Sequence, residues 1–328
     1  MISRRRFLVG SAAAIGVPFD THAQQAGKVY RVAVGFGGPF EMVAHLEKAM
    51  ETRLSDLGYV VGRNLIIETR GSDGTPEHSK AVAADLVGLK PDVIVVWSTV
   101  GATAVKQATK TLPVVFLSVG VPVETGLVAD LRKPGGNMTG VTFEAASQTY
   151  AKRLQLLKEI APTLSRVSVL HASGDPNVKH ALESIRTAAP AIGVQLDLLG
   201  VHSAHELDAA FSDIKRNGSD GVVVVAGAFT WVNRQKIAEL ALMHRLPSSH
   251  AFKETEAAGG LISLGPDLVE MARQGAVYVD KILRGAKPGD LPVEQPTRYE
   301  IHVNVKTAKA LGLTIPQSLL LRADQVIE

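Results

Sequence analysis

The stretch PDVIVVWSTVGATAVKQATKTLPVVFL, residues 91–117, reads as strand, loop, helix, strand. Val93 to Trp97 is a short apolar run suited to a strand buried on both faces of a parallel sheet. Small and polar residues follow, Ser98-Thr99-Val100-Gly101, then a predicted helix over 102–110, and Pro113 opens a second apolar run, Val114 to Leu117. This is a βαβ unit. The same parts recur about 130 residues later, where Ser219-Asp220 leads Gly221 to Val225, then Ala226-Gly227-Ala228-Phe229-Thr230, a predicted helix, and Leu246-Pro247-Ser248-Ser249-His250. Arg31-Val-Ala-Val and Arg166-Val-Ser-Val extend the echo, standing ahead of Asp92 and Asp220 at nearly equal spacing. The expected fold is α/β: two doubly wound Rossmann-like lobes.

With 328 residues, 46% of them hydrophobic and 20% charged, the chain has ample material for two cores. Cysteine is absent, which excludes disulfides, thiolate metal sites, a cysteine nucleophile and a lipid-modified N-terminal cysteine. The formal charge of +3 falls by two once Arg4, Arg5, Arg6 and Asp20 are removed with the leader described next. Nothing in that balance argues for nucleic acid.

Ser3-Arg4-Arg5-Arg6-Phe7-Leu8 precedes a weakly apolar run, Val9 to Phe19, and then Thr21-His22-Ala23, small residues where signal peptidase needs them. The pattern resembles a twin-arginine export signal over 1–23, with the mature chain starting near Gln24 in the periplasm. The apolar run is far short of the roughly 20 residues that span a bilayer. The mature chain is therefore expected not to be membrane-embedded.

Strands are predicted at 28–35, 64–69, 140–143, 194–199, 247–251 and 260–264, and helices at 41–57, 76–89, 147–161, 176–190, 204–217 and 232–245. Ser147 reads as a helix cap, and Asp267-Leu-Val-Glu270 as a capping box opening a helix that reaches Arg284. The turn-rich Lys133-Pro134-Gly135-Gly136-Asn137 precedes the crossing into the second lobe.

Open parallel sheets bind ligands at the carboxyl ends of their strands. In the first lobe those positions hold Gly38, Phe40, Ser98, Thr99, Gly101, Ala102, Ser118 and Val121; in the second, Ser173, Asn177, Ala228, Phe229, Thr230 and Phe252. The hydroxyls and the Gly101 and Ala102 amides suit a carboxylate, and Phe40 and Phe229 a flat ligand body. No catalytic residue, metal or cofactor is expected. His171, His180 and His250 lack metal-ligand spacing, and no Gly-x-Ser-x-Gly or Walker pattern occurs. Asp92 and Asp220 precede strands, away from the cleft, and read as turn residues; Trp97 and Trp231 read as core. Gly35-Phe36-Gly37-Gly38 is a poor dinucleotide loop, since Phe40 stands where the third glycine belongs.

The C-terminal motifs Glu256-Ala-Ala-Gly-Gly-Leu261, Tyr278-Val-Asp-Lys-Ile-Leu-Arg-Gly-Ala-Lys-Pro288, Leu291-Pro-Val-Glu-Gln-Pro296 and Lys306-Thr-Ala-Lys-Ala-Leu-Gly-Leu-Thr-Ile-Pro316 resemble the substrate-binding proteins of the tryptophan/tyrosine ABC transporter family. Pro134-Gly-Gly-Asn-Met-Thr-Gly-Val-Thr142, Ile237-Ala-Glu-Leu-Ala241 and Arg245-Leu-Pro247 agree. The resemblance implies a type I periplasmic-binding fold with a three-crossing hinge. Lobe one would cover 28–143, completed by about 265–298, and lobe two 144–264, completed by about 299–328. It further implies a solute receptor serving a membrane permease, with an amino acid or an aromatic or carboxylate compound as ligand. Val121-Pro122-Val123 stands where the family often has Asp-Pro-Val, and Ser263-Leu264-Gly265 where it often has Ser-Tyr-Gly. Both departures bear on amino-acid specificity. The alternatives from other classes are an exported dinucleotide-dependent α/β oxidoreductase and a ligand-sensing DNA regulator. The second would need a helix-turn-helix where the export signal lies.

Overall fold

Five parallel strands form the first sheet: β1 (Tyr30–Gly37), β2 (Leu65–Ser72), β3 (Val93–Trp97), β4 (Val114–Gly120) and β5 (Met138–Glu144), in the order β2-β1-β3-β4-β5. The second contains β6 (Arg166–Ala172), β7 (Gln195–Val201), β8 (Gly221–Val224), β9 (Ser248–His250), β10 (Ile262–Gly265), β11 (Glu300–Asn304) and β12 (Gln325–Ile327). Its first five strands repeat the same order, and β11 then joins β10 antiparallel and carries β12 parallel on its far side. The computed structural model describes residues 28–144 and 147–328; the export signal expected over 1–23 lies outside the described residues.

The echo seen in sequence has a physical counterpart. Asp92 accepts the Arg31 N–H at 2.8 Å and returns its own N–H to the Arg31 carbonyl at 2.8 Å. Asp220 makes the same exchange with Arg166, at 3.1 and 2.9 Å. Both carboxylates tie the start of a third strand to the start of a first, at the end of each sheet opposite the cleft. Their role is to hold register.

In the first lobe the helices are α1 (Phe40–Asp56), α2 (Pro76–Gly88) and α3 (Thr99–Ala108). The second has α4 (Gln148–Ile160), α5 (Val178–Ile192), α6 (Leu207–Arg216), α7 (Ala228–Val232), α8 (Arg234–Met243) and α9 (Glu254–Ala257). Helix α3 starts three residues before the sequence reading, because the Ser98 hydroxyl accepts the Gly101 N–H and so caps the helix further upstream. The single helix read over 232–245 is broken at Asn233 into α7 and α8. Ser147 makes no side-chain cap; its carbonyl instead accepts from Tyr150 N–H and Ser184 Oγ.

After β10 the chain returns to the first sheet as α10 (Leu268–Leu283), which packs on β4 and along α1. Asp267 caps it, accepting from Val269 and Glu270 N–H, while the Glu270 carboxylate pairs with Arg273. A Cβ at Gly275 would lie 2.7 Å from Leu117, so glycine sets how closely α10 seats on β4. Residues 291–294 then run beside β5: Glu294 N–H reaches the Gly140 carbonyl and Thr142 N–H the Glu294 carbonyl, each at 2.9 Å. From there the chain goes back to the second sheet as β11, followed by α11 (Val305–Leu311) and α12 (Gln317–Leu320). Asn304 and Thr307 bind the carbonyls of Glu256 and Gly259, at 3.0 and 2.9 Å, which gives two of the C-terminal motifs a packing role.

One buried apolar cluster runs without a break from Val32 and Leu46 through Leu117 to Val167 and Leu264, so the two lobes share a core through the hinge. The outer face of each sheet has its own cluster, around Phe116 in the first and Phe211 in the second. At the hinge sits Arg153, fully buried, with Nε donating to the Leu264 carbonyl at 2.9 Å and Nη1 lying 3.5 Å from the buried Glu144 carboxylate. Burial pushes the Glu144 carboxyl up, against the opposing pull of Arg153 and Thr149. Removing one partner of a buried pair strands the other, at a cost of about 3–5 kcal/mol. Arg153→Met should therefore lower the urea midpoint by a corresponding amount; an unchanged midpoint would show that the pair does not hold the hinge.

Candidate functional site

The carboxyl ends of β1, β3 and β4 face those of β6, β8 and β9 across a cleft, and the lobes touch. A Cβ at Gly37 would meet the Ala228 Cβ at 2.8 Å, and Gly74 lies directly against the backbone of Ala228 and Phe229. Between the lobes is a hollow with about 480 Å³ of empty space, its open mouth included. The first lobe lines it with Phe36, Gly37, Val43, Leu46, Trp97, Ser98, Thr99, Ser118 and Phe143, and the second with Gly227, Ala228, Trp231 and Phe252; Leu268 comes from the start of α10. None of these side chains is charged.

Two features of this edge come from the backbone. Ser98, Ser118 and Val121 all have positive φ, at 73°, 53° and 39°, a region that L-residues avoid. Ser118 also marks a register shift between β4 and β5, and such a bulge re-aims a side chain. Strain of this kind collects at ligand sites. The aromatic walls are ordered by stacking. Phe36 and Trp97 lie 5.3 Å apart and nearly parallel, Phe143 and Phe252 meet edge to face at 5.6 Å, and the Arg234 guanidinium covers Trp231 at 4.1 Å. The indole N–H groups of Trp97 and Trp231 are buried without a hydrogen-bond partner among the described residues. A buried donor left unpaired is costly, so an acceptor on a ligand would find both open.

Of the residues singled out in sequence, Ser98, Thr99, Ser118, Ala228 and Phe252 line the hollow. Thr99 Oγ1 also accepts the Gly120 N–H at 3.0 Å, which ties the end of β4 to α3. Gly38 adjoins Gly37 and rests on Met42 and Val232. The structure places the other assignments off the lining of this hollow. Phe40 is 50% exposed as the first residue of α1, and Phe229 is buried in the outer core of the second lobe beside Phe211. Neither ring faces the hollow. The Gly101 and Ala102 amides are spent on the side chain and carbonyl of Ser98, and Ala102 is buried in the first lobe's outer core. Val121 is buried in a turn, its N–H on the Glu144 carbonyl at 2.7 Å. Thr230 turns back onto the carbonyls of Val225 and Gly227. Ser173 lines a smaller space between the lobes with Gly74, Asp175 and Phe229. Asn177 is buried beside Gly120.

Sequence reasoning missed Phe36, Trp97, Trp231 and Phe143. Trp97 ends β3 and Phe36 lies one residue from the end of β1. The strand-end rule pointed at both positions, but large aromatics read as core. His250 is core in fact: it is buried, bonded to Ser248 Oγ at 2.9 Å, and lowered by burial to about 3.

Two lobes of repeated strand order, three crossings and a shared cleft define a type I periplasmic-binding fold. Residues 42–327 match the family described as ABC transporter substrate binding protein, and the chain belongs to that family. It is 28% identical over 282 residues to the "Tyrosine-binding protein" of Clostridioides difficile (strain R20291), covering 84% of this chain and 80% of the relative. A Vibrio cholerae conserved domain protein of solved structure matches at TM-score 0.84 and 28% identity, over 91% of this chain and all of that one. The ABC domain in complex with L-Trp from Streptococcus pneumonia matches at TM-score 0.83 and 26% identity, over 92% of this chain and 100% of that one.

The Gly37–Ala228 contact gives a test that separates closure from folding. Gly37→Val places a side chain in the lobe interface while leaving a residue that strands favour. Titration should show ligand affinity falling at least about tenfold with urea stability changed by less than about 0.5 kcal/mol. Wild-type affinity in this variant would mean that ligand is not held in the closed arrangement.

Proposed function

We propose that this receptor works outside the cytoplasm, exported by the twin-arginine signal at residues 1–23. There it captures one small ligand with a flat apolar body and an acidic head and delivers it to its ABC permease. The observation that carries the ligand reading is the uncharged hollow between the lobes, whose walls are stacked aromatics with two indole N–H donors that have no partner among the described residues. The stack formed by Phe36 and Trp97, with Trp231 and Phe252 opposite, suits a planar body; the indoles with Ser98, Thr99 and Ser118 supply donors for a carboxylate. The names of relatives that bind tyrosine and L-Trp support an aromatic amino acid or aromatic acid. No helix among the described residues is long and apolar enough to cross a membrane, which accords with a mature chain outside the bilayer.

Mass spectrometry of small molecules released from the purified, denatured protein tests the ligand directly. An aromatic acid or aromatic amino acid is expected at near-stoichiometric yield, and calorimetry with the same compound should restore saturable binding. Release of a dinucleotide would instead support the oxidoreductase alternative.

Export is tested separately. Changing Arg4 and Arg5 together to Lys keeps the charge but removes the twin-arginine pattern, so precursor should accumulate in the cytoplasm. Efficient export of that double variant would reassign the leader to the general secretory route.

A further inference from the structure

Arg234 is the first residue of α8, and three things argue against its being there for the fold. A cation at the start of a helix faces the positive end of the helix dipole. The side chain is half-buried, and burial disfavours its charge. Among the described residues no carboxylate forms an ion pair with it, although the charge of Glu254 offsets part of the effect of burial.

What the guanidinium does touch belongs to the cleft. It lies 4.1 Å from the ring centroid of Trp231, whose side chain lines the hollow. Nη1 donates to the Trp231 carbonyl at 3.0 Å, so the ring and the backbone of one residue are gripped together. The same nitrogen reaches Met42 Sδ, a weak acceptor in the first lobe, at 3.8 Å. Met42 stands on α1, and Val43 and Leu46 of that helix line the hollow from the first lobe. A Cβ at Gly38 would lie 3.4 Å from Val232 and 3.6 Å from Met42 Sδ, so this glycine leaves the room in which the two lobes meet beside Arg234.

We propose that Arg234 is a positioning residue for ligand capture: it holds the Trp231 indole in the wall of the hollow and ties that wall to α1 across the cleft. This rests on the hollow being the ligand site and deepens that reading. Arg234 does not line the hollow, so it acts through Trp231. A planar guanidinium can stack on an indole and donate from its edge at the same time; a lysine ammonium offers a point charge and no plane.

The chain has two tryptophans, so Trp97→Phe leaves Trp231 as the single emitter. In ligand-free protein of that background, Arg234→Met should raise acrylamide quenching of Trp231 about twofold or more, because the ring loses its cover. Calorimetry on the chain with both tryptophans uses L-tryptophan and L-tyrosine as probes. With whichever probe wild type binds, Arg234→Met should bind at least about tenfold more weakly, and without ligand it should melt no lower than wild type. Arg234→Lys keeps the charge but not the planar stack and should lose as much affinity. Unchanged quenching, or wild-type affinity in Arg234→Met, would overturn the proposal. So would affinity restored by lysine, which would make Arg234 a charge contact to the ligand, and a lowered ligand-free melt, which would make it a residue of the fold alone. Should neither probe bind wild type, the aromatic-ligand reading fails instead, and the quenching comparison decides the positioning role by itself.

Discussion

The buried guanidinium of Arg153 holds the hinge from both sides, and the cleft depends on it. Its helix belongs to the second lobe, yet it meets the Glu144 carboxylate at the end of the first sheet and the Leu264 carbonyl just before the second crossing. Tyr299, on the third segment, donates to the Phe143 carbonyl at 3.0 Å. All three connections are thus fixed within a few residues of one another. A charge this deep is tolerable only if its donors are met. The tie to a backbone carbonyl does part of that and the ring of Tyr150 lies 4.7 Å from the guanidinium, while Nη2 has no partner among the described residues.

Such a hinge lets two stable lobes carry a cleft edge that is not itself at a local minimum. Val121 at φ 39° is the clearest case, since a β-branched residue there is a steric outlier. The turn is held by the Glu144 carbonyl on one side and by Thr125, which returns its N–H and hydroxyl to the Val121 carbonyl at 2.9 Å, on the other. An aspartate would sit more easily in this backbone region. Its buried carboxyl, however, would need a partner that the apolar turn does not offer. The chain keeps a valine at the price of a strained backbone.

The strands were legible because β3, β4 and β8 are apolar runs bounded by turn residues, and because the tie between an early arginine and a later aspartate repeats. Helix boundaries were legible where a cap acts through its own neighbours, as at Asp267, and not where the cap depends on a residue in an unusual conformation, as at Ser98. The site was half legible. The strand-end rule names positions, but whether a side chain faces cleft or core depends on pleat, bulge and the neighbouring helix. Phe40 and Phe229 sit at valid positions and point elsewhere: Phe40 lies exposed on the opening turn of α1, and Phe229 is drawn into the core of the second lobe. Trp97 and Trp231 are core, as the sequence reading has them, and line the hollow as well. A tryptophan that is over nine-tenths buried is core by any sequence rule, and only the unpaired indole N–H marks these two as more than packing.

At the rim of the cleft the lobes meet through small groups. Their direct contacts at Gly37 and Gly74 are between glycines and an alanine or backbone, so shutting an empty cleft brings apolar walls opposite a void and leaves their dispersion contacts unmade. A flat ligand of the kind proposed would supply the missing atoms to Phe36 and Trp97 on one wall and to Trp231 and Phe252 on the other at once. Only the closed state offers both walls, and this difference is what shifts the equilibrium. An aromatic group burying about 150–250 Å² contributes roughly 4–6 kcal/mol at about 25 cal/mol per Å². Moving a two-state equilibrium from mostly open to mostly closed takes about 5.5 kcal/mol. An apolar body of this size would therefore be enough to drive closure by itself, and the few polar groups at the cleft edge would be left to set which ligand is admitted.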